Sequence, residues 1–213
     1  MSRRAARNAV TRERIAAAAL AQVADGGYAS ATVTAVAARA GVAAGSVYTH
    51  FAGKGELFAE VFRDATGHEI DLVARIADQR DRPVAERLAE AVEAWSRRAL
   101  AAPTLAWALM AEPVDPAVEA ERLRSKRAYQ NAFAALLREG VDRGELPVSD
   151  PPVAAAAIVG AMQEALIGPL AEHTAGHDAL VASLMQFVLS AVGATTKEHA
   201  NGDRRHPHHA RHA

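Results

Sequence analysis

The chain has no cysteine. That removes a disulfide framework, a thiolate nucleophile and a cysteine metal site together, and it fits a reducing compartment. Aromatic residues are scarce, with two Trp, three Tyr and five Phe in 213 residues. The most apolar stretch, Val153 to Leu170, is broken by Gln163 and Glu164 and reads as short of the roughly 18 apolar residues of a membrane span, so no membrane partner is expected. The start, MSRRAARNAV, carries charge with no apolar core behind it and does not read as a signal peptide. No stretch alternates with the two-residue period of a strand. A Gly-rich phosphate loop, a Ser–His–Asp set with a local signature and a paired metal-ligand motif are all missing. No catalytic residue, metal or cofactor is therefore assigned, and the chain is not read as an enzyme. Alanine dominates the apolar half of the composition. Alanine-rich helices pack closely, and the expected fold is all-α.

The most informative run is TVTAVAARAGVAAGSVYTHF, residues 32–51. Val33, Val36, Ala37 and Ala40 fall on one face of a short helix. Gly41 follows, where a residue without a Cβ can take positive φ and end that helix. A second apolar set, Val42, Val47 and His50/Phe51, opens another short helix at a new angle. Small Ala37 allows two helices to approach, with Gly41 four residues on. This is the spacing of a helix-turn-helix, whose second helix lies in the DNA major groove.

The flanks extend the pattern. Gly26-Gly27-Tyr28 precedes the unit, Thr32 stands at the start of its first helix, and Tyr48-Thr49-His50-Phe51 closes the second. Lys54-Gly55-Glu56-Leu57-Phe58 then begins a further helix. In this order, the segment from about Arg12 to Phe62 resembles the N-terminal domain of TetR-family transcriptional regulators, in which Y-x-H-F followed by Lys and then Leu is a signature. The rest of the chain resembles the family in length and helical content. The resemblance implies an N-terminal three-helix helix-turn-helix DNA-binding domain followed by a C-terminal helical domain for ligand binding and dimerisation. Its expected partners are a double-stranded DNA operator, a small-molecule effector and a second copy of the chain, with localisation in the cytoplasm at the nucleoid. The alternative reading is an all-α dimeric scaffold whose helix-turn-helix is architectural.

Caps and breakers predict about nine helices: 11–24, 33–40, 44–50, 54–79, 84–101, 103–113, 116–143, 151–170 and 177–192. Gly26-Gly27 reads as a stop and Gly67 as a possible bend. The expected organisation is a flexible basic arm over 1–10, the DNA-binding domain over 11–53, a regulatory body over 54–193 entered by the connecting helix 54–79, and a disordered His-rich tail over 194–213. Charge divides along the same line. Residues 1–63 hold eight basic and four acidic residues, net +4, whereas the remainder holds 16 against 21, net −5. A basic head on an acidic body suits a phosphate-facing domain joined to one that does not meet DNA.

Within the head, Thr32 caps a helix where its hydroxyl and free N–H groups can meet a phosphate. Tyr48 is exposed by phase, and the resemblance implies a phosphate contact; Lys54 is the expected point-charge partner. Base reading must come from Ala43, Ala44, Gly45, Ser46, Thr49 and His50, the last of these packing and positioning more than reading. No Arg or Lys lies between Ala40 and Ala52, so bidentate guanine reading from this helix is excluded, and the two alanines leave methyl contacts. Arg39 can reach the groove edge. Arg3, Arg4 and Arg7 form either an arm for a narrow minor groove or a disordered tail.

In the body, the few large side chains either line a cavity or fill the core. Trp95, Trp107, Met110, Tyr129, Phe133 and Met162 are the candidate lining, with Gln163 as a polar member. Arg122, Lys126, Tyr129 and Phe133 share one helical stripe, from which a cation such as Arg122 can face an acidic ligand. The last two helices are apolar on nearly every side, which predicts burial against copies of themselves in a four-helix interface. Ala157, Gly160, Ala161, Glu164, Leu184, Phe187 and Val188 are its candidate residues.

Overall fold

The computed structural model describes residues 3–172 and 176–194. Among these residues the chain forms nine helices: α1 Arg3–Ser30, α2 Val33–Ala40, α3 Ala44–His50, α4 Lys54–Ala77, α5 Val84–Ala101, α6 Pro103–Met110, α7 Pro116–Asp142, α8 Pro151–Glu172 and α9 Asp178–Ala191. The expected all-α architecture holds. Nearly all of the expected His-rich tail lies outside the described residues.

Local chemistry sets the short helices. The Thr32 hydroxyl accepts from the Ala35 N–H at 3.1 Å, filling one of the donors a helix start leaves open. Gly41 takes φ 64°, ψ 39°, and the Val42 N–H donates to Ala37 O at 3.0 Å, a Schellman closure. Asp150 accepts from the Val153 N–H at 3.1 Å and caps α8. Pro103 and Pro116 occupy first turns, where a missing N–H costs nothing.

Helix α1 differs from expectation at both ends. It starts at Arg3 rather than Thr11, so the segment expected as a flexible arm is helical. Residues 4–10 are exposed and none belongs to the head core; alanine and arginine propagate a helix already nucleated downstream. At the other end, Gly27 leaves helical geometry at φ 76°, ψ 174°, and one more turn follows to Ser30. Gly67 lies within an unbroken α4, not at a bend.

There are two apolar cores, and α4 runs from one to the other. The head core gathers Ile15, Ala19, Val23, Tyr28, Val36, Val47 and Phe51 with Leu57, Phe58, Val61 and Phe62 of α4. The body core gathers Val73 and Ile76 of α4 with α5, α7, α8 and α9. Ala108 of α6 and Val118 of α7 belong to the head core, so the body reaches into the head. Each fully buried Leu, Ile or Phe contributes about 1.5–3 kcal/mol.

Arg87 of α5 is completely buried. Its guanidinium donates to both carboxylate oxygens of Glu139 on α7, at 2.5 and 3.3 Å, and to Ala77 O at the end of α4. One cation thus ties three helices together, and its position at a helix C-terminus is favourable.

Helix α8 needs a correction. Gln163 and Glu164 do not take it below the length and apolarity of a membrane span. Ile158, Val159, Met162, Leu166 and Leu170 are nevertheless buried in the body core, and a core helix covered on one side passes the same compositional test.

Candidate DNA-reading face and ligand cavity

Helix α3 turns Val47 into the head core and leaves Ala43, Ala44, Gly45, Tyr48 and Thr49 exposed, with Ser46 and His50 half-buried. Tyr48 is 58% exposed in an otherwise small-residue surface. Thr49 donates its hydroxyl to Gly45 O at 3.3 Å, so it is occupied by its own helix. Thr32 is exposed, and its hydroxyl proton stays free to donate because its oxygen accepts from Ala35 N–H.

The cations of the head divide into engaged and free. Arg39 pairs with Asp25 at 2.5 Å, with both side chains largely exposed, so it does not reach out unopposed. Arg12 pairs with Glu60, donates to His50 O and lies 4.1 Å from the Phe51 ring centroid, bracing the end of α3. Arg4, Arg7 and Arg14 are exposed on α1 without a carboxylate partner among the described residues. The helical presentation of Arg4 and Arg7 was not legible, since the sequence suggests an arm or a disordered tail there.

Lys54 is not a solvated lysine. Its ammonium stands 4.2 Å from the Tyr28 ring centroid and donates to Tyr28 O at 3.3 Å. Tyr28 is a junction. Its ring meets Phe58 and Phe62 edge-on, with centroids 5.2 and 6.2 Å apart. Its N–H donates to Glu112 Oε2 at 2.7 Å, and the Ala29 N–H donates to Glu112 Oε1 at 2.9 Å. Its phenol donates to Asp115, which spends its carboxylate here although it occupies the N-cap position of α7. Burial, reinforced by that bond, pushes the Tyr28 phenol well above its usual range and keeps it a donor. Gly27 makes room for the contact: a Cβ there would lie 3.0 Å from Glu112 Oε2.

Behind this junction is a half-open cavity of about 350 Å³ lined by α4 to α8, within the roughly 300–1,000 Å³ of small-molecule sites. From α4 it receives Phe62, Thr66 and Glu69, and from α5 Trp95, Arg98 and Ala99. Helix α6 supplies Leu105, Ala106, Leu109 and Met110; α7 supplies Arg122, Ser125, Lys126 and Tyr129; α8 supplies Gln163. Five expected lining residues are therefore present: Trp95, Met110, Arg122, Tyr129 and Gln163. The other three are not. Phe133 and Met162 are buried in the body core, and Trp107 packs half-buried against it.

Arg122 is present but committed elsewhere. It donates to the carbonyls of Ala108, Leu109 and Glu112 at 2.7–3.1 Å and pairs with Glu119 at 2.6 Å. It closes the C-terminus of α6 instead of offering a cation to the cavity. Burial first, and then the charge of Glu69, raise the Tyr129 phenol above its ordinary value, so it stays a neutral wall. Phe62 was missed by the sequence reading: it lines the cavity, belongs to the head core and touches Tyr28. Of the expected interface residues, Ala157, Glu164 and Phe187 are exposed and Gly160 and Ala161 half-buried, but Leu184 and Val188 turn inward to the core.

Residues 15–61 match the family described as bacterial regulatory proteins, tetR family, and residues 81–166 match the tetracyclin repressor-like C-terminal domain. No curated protein matches the chain. Among solved structures, the chain is similar to the transcriptional regulator FadR from Bacillus subtilis in complex with stearoyl-CoA, at 23% identity over 84% of this chain and 98% of that one, TM-score 0.73. It is likewise similar to the SmeT–triclosan complex, at 24% identity over 85% and 91%, TM-score 0.72. A third, NemR of E. coli in its reduced form, is 13% identical over 85% and 97%, TM-score 0.69. At these identities the likeness to solved structures establishes the fold, whereas the two family matches follow one another along the chain and cover both head and body. The chain belongs to the tetR family of bacterial transcriptional regulators, a family of DNA-binding proteins and not of enzymes.

Proposed function

We propose that the protein is a homodimeric repressor, acting in the cytoplasm at the nucleoid, that binds an inverted-repeat operator and leaves it when a largely apolar or aromatic effector fills the α4–α8 cavity. Residues 11–53 read DNA in this account, and residues 54–193 bind effector and dimerise. The observation that carries the reading is Tyr28. Phe62 on the cavity wall and Glu112 at the end of α6 both touch it, and it holds Lys54, the expected phosphate contact. A ligand that moves Phe62 or α6 biases the position of the head, because packed contacts of this kind switch between arrangements instead of deforming smoothly. FadR is recorded with stearoyl-CoA and SmeT with triclosan, ligands with large apolar parts, which supports an apolar effector here.

Dimerisation rests on the outer faces of α8 and α9. Val153 is 63% exposed and Phe187 57%, and Ala156, Ala157 and Ala182 are exposed on the same helices. An apolar face of this sort is covered by its own copy in a two-fold interface built from Ala157, Gly160, Ala161, Glu164 and Phe187. Two recognition helices then address major grooves about 34–36 Å apart. Footprinting on operator selected from random DNA should show a dyad of two half-sites, protected in the apo protein and released by effector. One isolated half-site, or protection indifferent to every apolar ligand that enters the cavity, overturns the reading.

Phosphate contacts carry a separate expectation. Tyr48→Phe and Lys54→Ala should weaken specific and non-specific DNA about equally, and Lys54→Ala should lower the salt slope by close to one unit. Altered base preference at an intact salt slope would remove Lys54 from the phosphate role.

A further inference from the structure

We propose that the cavity selects an amphipathic monoanion: a ligand with one acidic headgroup on an alkyl or aryl body, its acid facing Lys126. The inference rests on the reading of this cavity as the effector site and goes beyond it by naming the ligand class.

Four charged side chains line the cavity, and three are committed. Glu69 holds Arg98 through two guanidinium nitrogens at 2.7–2.9 Å. Arg122 is spent on the carbonyls of α6 and on Glu119. Lys126, one turn beyond Arg122 on the same helix, is half-buried, lines the cavity and has no carboxylate partner among the described residues.

The neighbouring hydroxyls do not compete for an anion. Thr66 donates to Phe62 O at 2.7 Å, so the 2.7 Å contact between Thr66 and Ser125 leaves Ser125 as its donor. Both protons are used, and among the described residues Lys126 is the one uncommitted cation in the lining. A neutral ligand that fills the cavity strips water from this ammonium and leaves it unpaired, which is costly. A ligand carrying an anion replaces that water with a charge-assisted hydrogen bond. One uncompensated positive charge matches one negative charge, and the apolar remainder of the wall, including Trp95, Leu105, Leu109 and Met110, takes the body.

The test compares acid and alcohol of the same skeleton, decanoate against decanol and 2-naphthoate against 2-naphthylmethanol, at pH 7.5 on the full-length protein. Trp95 emission in a Trp107→Phe background reports occupancy, because Trp95 lines the cavity and Trp107 does not. At least one acid should bind about tenfold or more tightly than its alcohol. Lys126→Gln should bring that ratio close to one, and Lys126→Arg should retain it. Acid and alcohol binding equally to the parent protein overturns the headgroup inference while leaving the cavity as the effector site. A preference that survives Lys126→Gln moves the anchor to another residue and overturns the assignment. If neither pair perturbs Trp95, the effector-site reading falls, and this inference with it.

Discussion

Glu139→Ala should lower the free energy of unfolding by about 3–5 kcal/mol, the usual cost of leaving one member of a buried ion pair without its partner. Arg87 is completely buried, whereas Glu139 is 17% exposed, so the unpaired charge left behind is the one that water reaches least. The same geometry fixes the pH dependence. The Arg87 hydrogen bond, and next to it the Arg87 and Arg143 charges, hold the Glu139 carboxyl below its ordinary value of 4.5, against the upward push of burial. A carboxyl depressed in the folded state stabilises fully above the unfolded pKa, and that contribution is lost as pH falls through the folded pKa. Urea unfolding should therefore show the parent losing stability below about pH 4.5, with a shallower loss in Glu139→Ala. Replacing both partners, Arg87→Met with Glu139→Leu, should cost less than Glu139→Ala alone, because no buried charge remains. A single substitution costing under about 1 kcal/mol would mean that Arg87 finds water or another acceptor.

Glu112→Ala should separate ligand binding from DNA release. Glu112 lies two residues past the end of α6, and its two oxygens accept the Tyr28 and Ala29 N–H groups, so it links the cavity wall to the head. Charge-assisted hydrogen bonds of this kind are each worth about 1.5–3 kcal/mol, so their loss should shift the effector concentration needed for operator release by at least about tenfold. Occupancy read from Trp95 should change little, since Glu112 does not line the cavity. Glu112→Gln keeps one carbonyl acceptor and should fall between the two. Because coupling is reciprocal, operator DNA should weaken effector binding in the parent protein, and do so less in Glu112→Ala. Mobility shift and fluorescence titration on the same samples decide it. Release by Glu112→Ala at the parent's effector concentration would place the coupling elsewhere, with Phe62 the next contact to test.

What the residues determined unaided is local. The boundaries of α2 follow from Thr32 as a cap and from Gly41 at positive φ, both set by chemistry within five residues. Helical phase correctly separated buried Val36, Ala37 and Val47 from exposed Tyr48. The family resemblance rests on the same contiguous stretch. Phase says that a side chain faces inward but not what it meets, and there the tertiary structure decided. Trp95 lines a cavity while Phe133, similarly placed by pattern, fills the core between helices. Phe187 looks outward from α9 and Leu184, three residues earlier, looks into the body. Arg122 and Lys126 share one stripe of α7, yet only the packing of α6 against α7 commits the first and leaves the second. Tyr28 meets Lys54 across 26 residues and Glu112 across 84. Such contacts depend on how whole helices dock, and no local preference of either residue encodes its distant partner.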